Sequence, residues 1–154
     1  MRPSFPAPSP ESDRITGEHA TVPALRALVV EDDQDILDAL AFALGGAFDV
    51  TPVASGVLAL SLLDAQTFDL IVLDLYLPGV DGEAILQALR ANAIRTPVVL
   101  ASASRNVEAT ARTFGVAGFL RKPFSLTQLE SMVATAVCPQ SSLLFRRASA
   151  GEPT

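Results

Sequence analysis

The sequence predicts an α/β fold: a doubly wound sheet of five parallel strands with five helices. Two observations point there. Short apolar runs alternate along the chain with segments of helical periodicity, the pattern of repeated strand–helix units. One of those runs, Leu70 to Leu73, is apolar at every position, as a strand buried on both faces of a parallel sheet must be. A third observation concerns chemistry. Polar residues follow four of the apolar runs, at Glu31-Asp32-Asp33, Asp74, Ser102 and Lys122, and ligands of open parallel sheets bind outside the carboxyl ends of the strands.

The elements can be taken in order. Leu25 to Val30 is a short apolar run and the first expected strand. Asp33 to Leu44 places Ile36, Leu37, Leu40, Ala41 and Leu44 at helical spacing. Gly45-Gly46 is expected to end that helix in the manner of a C-terminal glycine. Phe48 to Val53 is the second strand, and Ser55 is an N-cap for a helix that turns Ala59, Leu62 and Leu63 to one face. Leu70 to Leu73 is the third strand, followed by a Pro78-Gly79 loop and an Asp81 cap for a helix with Ile85, Leu86 and Leu89 inward. Pro97 precedes the fourth strand, Val98 to Ala101, and a helix over Val107 to Phe114 ends at Gly115. Phe119-Leu120 is a short fifth strand. Ser125-Leu126-Thr127-Gln128 matches a capping box and opens a last helix carrying Leu129, Met132, Val133 and Val137.

The folded part is thus expected at 24–138. A flexible Pro/Ser-rich tail precedes it at 1–23 and a second tail follows at 139–154. Composition is consistent with one domain: 49% of the 154 residues are hydrophobic and 18% charged, enough for a core and too few charges for a disordered chain. A net charge of -6 and the lack of a basic run disfavour direct nucleic-acid binding. A single cysteine, Cys138, rules out an internal disulfide framework. No apolar stretch approaches the roughly 20 residues that span a bilayer, and the first ten residues lack the apolar core of a secretory signal. The expectation is a cytoplasmic protein without membrane insertion.

The four strand-end positions suit one kind of chemistry. Glu31 and Asp32 with Asp74 would crowd like charges and raise a pKa. A hard cation relieves that crowding; Mg²⁺ takes one or two carboxylates, keeps waters and completes its shell with phosphate oxygens. Lys122 adds a positive charge for a phosphate and Ser102 a hydroxyl donor. A cation site, a carboxylate nucleophile, a hydroxyl and an ammonium together suit phosphoryl transfer, in which positioning and charge neutralisation dominate. Each feature has a plainer meaning alone: an acidic cluster at a helix start is often only a cap.

Four stretches resemble the receiver domain of two-component response regulators. They are Leu28 to Asp33, Phe68 to Gly82, Pro97 to Ala103 and Gly115 to Phe124. The resemblance implies a five-stranded flavodoxin-like sheet in the order 2-1-3-4-5. It implies that Asp74 accepts a phosphoryl group from a histidine kinase, and that Glu31, Asp32, Asp74 and the backbone carbonyl of Tyr76 hold Mg²⁺. Asp33 stands near enough in sequence to share the duty of Glu31. Ser102 would bond the phosphoryl oxygen, Lys122 would pair with it, and Phe119 would be the switch aromatic that turns inward with Ser102. The bond before Pro123 would be cis. Tyr76 and Ser104 fall where the family tunes phosphoryl lifetime.

One departure stands out. The interval from Ser102 to Lys122 is about two residues shorter than the family usually shows, which is not a helical turn. The loss is therefore expected in the loop after Ser102 or in the fourth helix. The reading from sequence is a stand-alone receiver, a switch and not a turnover enzyme. Its expected partners are a sensor histidine kinase or phosphotransfer protein, and a downstream protein or second copy on the face of the fourth helix, fifth strand and fifth helix. The alternatives are a phosphorylation-independent scaffold on the same fold and an aspartyl-phosphate hydrolase of the haloacid-dehalogenase type. The latter places an Asp two residues after its nucleophile, where this chain has Tyr76.

Overall fold

The computed structural model describes residues 24–137. The tails expected at 1–23 and 139–154, together with Cys138, lie outside the described residues. Ten elements alternate without exception: β1 (Leu25–Val30), α1 (Gln34–Leu44), β2 (Phe48–Val53), α2 (Gly56–Ala65), β3 (Leu70–Leu73), α3 (Gly82–Ala91), β4 (Val98–Ser102), α4 (Val107–Phe114), β5 (Gly118–Arg121) and α5 (Leu126–Val137). The strands form one parallel sheet in the order β2-β1-β3-β4-β5.

Alternation of side chains along each strand explains why the sheet is covered on both faces. Leu28, Val30, Ile71, Leu73 and Leu100 point to one side and pack with Ala59, Ile85, Leu86, Leu89, Val107 and Ala111, from α2, α3 and α4. Ala27, Val29, Leu70, Val72, Val99 and Ala101 point to the other and pack with Leu37, Leu40, Leu44, Leu129, Val133 and Ala136, from α1 and α5. All four residues of β3 are buried, as its unbroken apolar run requires. From β1 the chain steps outward to β2, then returns past β1 to β3. The reversal leaves a crevice at the carboxyl ends of β1 and β3, which is where a doubly wound sheet binds its ligand.

Local chemistry starts the helices where the sequence indicates. The Asp33 carboxylate accepts from the Asp35 and Ile36 amides at 3.0 and 3.2 Å. Ser55 Oγ accepts from the Leu58 amide at 3.2 Å, and Asp81 from the Ala84 amide at 2.9 Å. The Ser125/Gln128 box closes reciprocally, at 2.9 and 3.1 Å. Each such cap satisfies amides that have no partner inside the helix. The helix α4 is the exception, because Asn106 makes no side-chain cap bond. It is also the shortest helix, at eight residues.

Three details differ from the expectation. The first helix does stop at Gly45, but that residue stays right-handed (φ -64°) and its amide reaches back to the Phe42 carbonyl. A tightened last turn ends α1, not a left-handed glycine. Gly115 is the left-handed cap, at φ 62°. Ser102 belongs to β4 and Arg121 to β5, because the two residues pair across the sheet and the Lys122 amide donates to the Ser102 carbonyl at 3.0 Å. Helix α2 buries Ala59 fully, while Leu62 and Leu63 are only partly covered.

Gly82 ties α3 to the sheet edge. A Cβ built there would lie 2.4 Å from the Asp74 carbonyl oxygen and 2.6 Å from the Leu75 Cα. Both are backbone atoms and cannot swing away. Gly82→Ala is therefore expected to destabilise the protein by about 1–3 kcal/mol, the range for an inserted methyl in a packed site. Urea unfolding measures it, and a variant as stable as wild type would contradict the close packing.

Candidate functional site

Adjacent ladders carry the acidic residues to one point. The Glu31 amide donates to the Val53 carbonyl at 3.1 Å and the Asp74 amide to the Val30 carbonyl at 3.0 Å. Sheet bonding thus continues to the last residue before each loop turns away. Carboxylate oxygens of Glu31, Asp32 and Asp74 all lie within 4.8 Å of one another. Glu31 and Asp74 are buried, at 1% and 4% exposure, while Asp32 is exposed.

Lys122 enters from β5 and neutralises the buried pair. Its Nζ donates to Glu31 Oε2 at 2.5 Å and to Asp74 Oδ2 at 2.8 Å. The other oxygen of each carboxylate takes a backbone amide: Tyr76 N–H donates to Asp74 Oδ1 at 3.0 Å and Asp33 N–H to Glu31 Oε1 at 3.2 Å. Among the described residues no buried polar side-chain atom lacks a partner. The Lys122-Pro123 bond is cis.

These contacts set the titration behaviour. Burial pushes the Glu31 carboxyl above its ordinary 4.5; the bond from Lys122 opposes this and the Asp74 charge adds to it. Burial alone would pull the Lys122 ammonium down, yet its bonds to Asp74 and Glu31 outweigh that and hold it above 10.5. By linkage the stabilisation from a raised lysine is complete below its ordinary value and is lost only as pH rises through the higher one.

The structure brings together Glu31, Asp32, Asp74 and Lys122 as the sequence indicates. Asp33, a possible substitute for Glu31, is committed elsewhere, since its carboxylate caps α1. Tyr76 meets the site through its amide, and the residue is 61% exposed. Ser102 is fully buried, and its Oγ accepts from the Ser104 amide at 3.2 Å. Phe119 is half-buried on β5, opposite Leu100, and its ring lies 5.5 Å from the Arg121 guanidinium carbon. A cavity of about 640 Å³ opens beside the cluster, lined among others by Asp32, Tyr76, Asp81, Ser104 and Asn106. Sequence reasoning missed the direct Lys122–Glu31 bond and the role of Glu108. This α4 carboxylate bridges Arg112 at 2.8 Å and Arg121 at 3.1 Å. The i, i+4 spacing of Glu108 and Arg112 was the available signal.

An acidic cluster facing one lysine at the switch point of a doubly wound sheet matches a known family. Residues 27–134 match the response regulator receiver domain, and the chain belongs to that family. It is 37% identical over 120 residues to the transcriptional activator protein PfeR of Pseudomonas aeruginosa, covering 76% of this chain and 39% of that one. It is 36% identical over 109 residues to the nisin biosynthesis regulatory protein NisR of Lactococcus lactis, covering 69% and 47%. The chain therefore spans less than half the length of these curated relatives. Among solved structures, the Francisella response regulator 1452 receiver domain superposes with a TM-score of 0.70 at 30% identity, covering 75% of this chain and 98% of that one. The Vibrio cholerae chemotaxis protein CheY4 gives 0.66 at 25% identity, covering 73% and 98%. The described residues are thus a receiver domain of two-component signalling, with the 2-1-3-4-5 order that the resemblance implied. No helix among them is long and apolar enough to cross a membrane.

Removal of the lysine tests the electrostatic balance. Lys122→Met should cost about 3–5 kcal/mol at neutral pH, because two buried carboxylates lose their counter-charge. The deficit should shrink as the pH falls and Glu31 takes up a proton, and a divalent cation should recover part of it. Urea titrations across pH measure this; a deficit independent of both pH and cation would show that Lys122 serves only as packing.

Proposed function

We propose that this receiver is a phosphorylation-controlled switch whose phosphoacceptor is Asp74. The observation that carries the reading is the double membership of Asp74: it belongs to the carboxylate cluster and to the Lys122 ion pair. A phosphoryl group leaving the imidazole nitrogen of a kinase or phosphotransfer histidine would bond to an Asp74 oxygen as the N–P bond breaks. Lys122 would then pair with the new phosphoryl oxygens. The Tyr76 amide holds the acceptor carboxylate in place beforehand, so little reorganisation is needed.

The donor set suits Mg²⁺: three carboxylates, one exposed, leave room for waters and phosphate oxygens. Glu31, Asp32 and Asp74 would hold the ion, with the Tyr76 carbonyl as a further ligand, and the ion would neutralise phosphoryl charge. Ser102 would donate its hydroxyl to a phosphoryl oxygen, and Phe119 would turn inward with it. Output then passes through the face of α4, β5 and α5 to a protein partner or a second copy. The reading is a switch and not a turnover enzyme, because Tyr76 stands where a phosphate-ester hydrolase of this chemistry carries a second Asp.

Incubation with Mg²⁺ and a small-molecule phosphodonor, followed by intact mass, tests the acceptor. Wild type should gain one phosphoryl group and Asp74→Asn none; equal behaviour of the two would sink the proposal in favour of a phosphorylation-independent scaffold. The eight-residue α4 is the observation that keeps that second reading in play. Mg²⁺ affinity should also weaken as the pH falls toward the raised value of Glu31, since the ion and the proton compete for one carboxylate. Calorimetric titration from neutral pH to about pH 5 reads that slope, and a flat profile would remove Glu31 from the ligand set.

A further inference from the structure

Arg121 stands at a junction that the phosphoacceptor site does not use. Its backbone is the cross-strand neighbour of Ser102. Its side chain lies on the same face of β5 as Phe119, two residues earlier, with the guanidinium carbon 5.5 Å from the ring centroid. The guanidinium is in turn held by Glu108 Oε2 at 3.1 Å, while Glu108 Oε1 takes Arg112 at 2.8 Å. Both oxygens of one α4 carboxylate are therefore engaged, and one of them fixes the cation that covers the aromatic ring.

The surrounding chemistry makes this link more than an ordinary surface pair. Helix α4 buries only Val107 and Ala111 and has no side-chain cap at its start. It buries fewer residues than α3, with Gly82, Ile85, Leu86 and Leu89, or α5, with Leu129, Val133 and Ala136. The Arg121 side chain is 55% exposed, while the Phe119 beside it is half-buried and packs against the core cluster under α4. A further inward turn of Phe119 would take the ring away from the guanidinium.

We propose that Glu108 is a positioning residue for the switch. By holding Arg121 against Phe119 it favours the present conformation over the one a bound phosphoryl group selects. The proposal rests on the reading of Asp74 as acceptor and of Phe119 as the switch aromatic. Any contact made in only one of two states shifts the balance between them and changes the affinity of a ligand for the other state.

Titration of beryllofluoride, a phosphoryl mimic, by calorimetry in the presence of Mg²⁺ tests it. Glu108→Gln should bind the mimic about two- to five-fold more tightly at low salt, the scale of one exposed pair. The gain should shrink near 1 M salt, where the wild-type pair is screened. Arg112→Gln, which removes the other partner of Glu108 and leaves Phe119 covered, should change affinity by less than about two-fold. In an Arg121→Gln background Glu108→Gln should add nothing. A role confined to stability would lower the melting temperature without changing affinity, and that result overturns the proposal. So does an Arg112→Gln gain as large as that of Glu108→Gln. Absence of Asp74-dependent binding in the wild type would overturn the acceptor reading and this proposal together, whereas Asp74-dependent binding indifferent to Glu108 overturns this proposal alone.

Discussion

The Lys122 ammonium, 2.5 Å from Glu31 and 2.8 Å from Asp74, is the contact on which the site depends. Two carboxylates buried side by side repel each other and have lost most of their hydration. One shared cation offsets both penalties, and the two backbone amides from Asp33 and Tyr76 saturate the remaining oxygens. The arrangement holds only if β5 delivers its final residues beside β4, and β4 beside β3. The register that pairs Ser102 with Arg121 achieves this, since it leaves Lys122 as the next residue toward the crevice.

The charges of the site do not cancel. Three carboxylates and one ammonium, three negative against one positive, leave a formal charge of -2 in the cluster. The uncompensated negative charge lies on a carboxylate cluster with Asp32 exposed at its edge. On the proposed reading, a phosphoryl group on Asp74 would add negative charge and compete for the same lysine. The contacts that hold the present arrangement would then be the ones it redistributes.

Much of this was legible before any coordinates. The strand positions follow from apolar runs such as Leu70 to Leu73, and the helix starts from Asp33, Ser55, Asp81 and Ser125, because caps are decided by neighbours within three residues. Asp74, Asp32, Glu31 and Lys122 were visible as polar residues after apolar strands. Less visible was the use each makes of its atoms. Asp33 reads as a spare ligand but is spent on a cap. Gly45 reads as a left-handed stop, yet the last turn of α1 tightens instead. Glu108 carried only an i, i+4 pair with Arg112 in the sequence, and its bond to Arg121 spans thirteen residues and two elements.

The sequence by itself determined the alternation of five strands and five helices, the two-sided burial of the central strands, and the residue types at the strand ends. Those features arise from interactions with a range of a few residues: periodicity, capping and hydrophobicity. The tertiary structure alone decided which of those polar residues meet. Lys122 reaches Glu31 across 91 residues and Asp74 across 48, and it does so because parallel pairing and the reversal at β1 bring the carboxyl ends of β1, β3 and β5 to one edge. Pairing, burial and shared charge are properties of that edge, set by packing between elements distant in the chain.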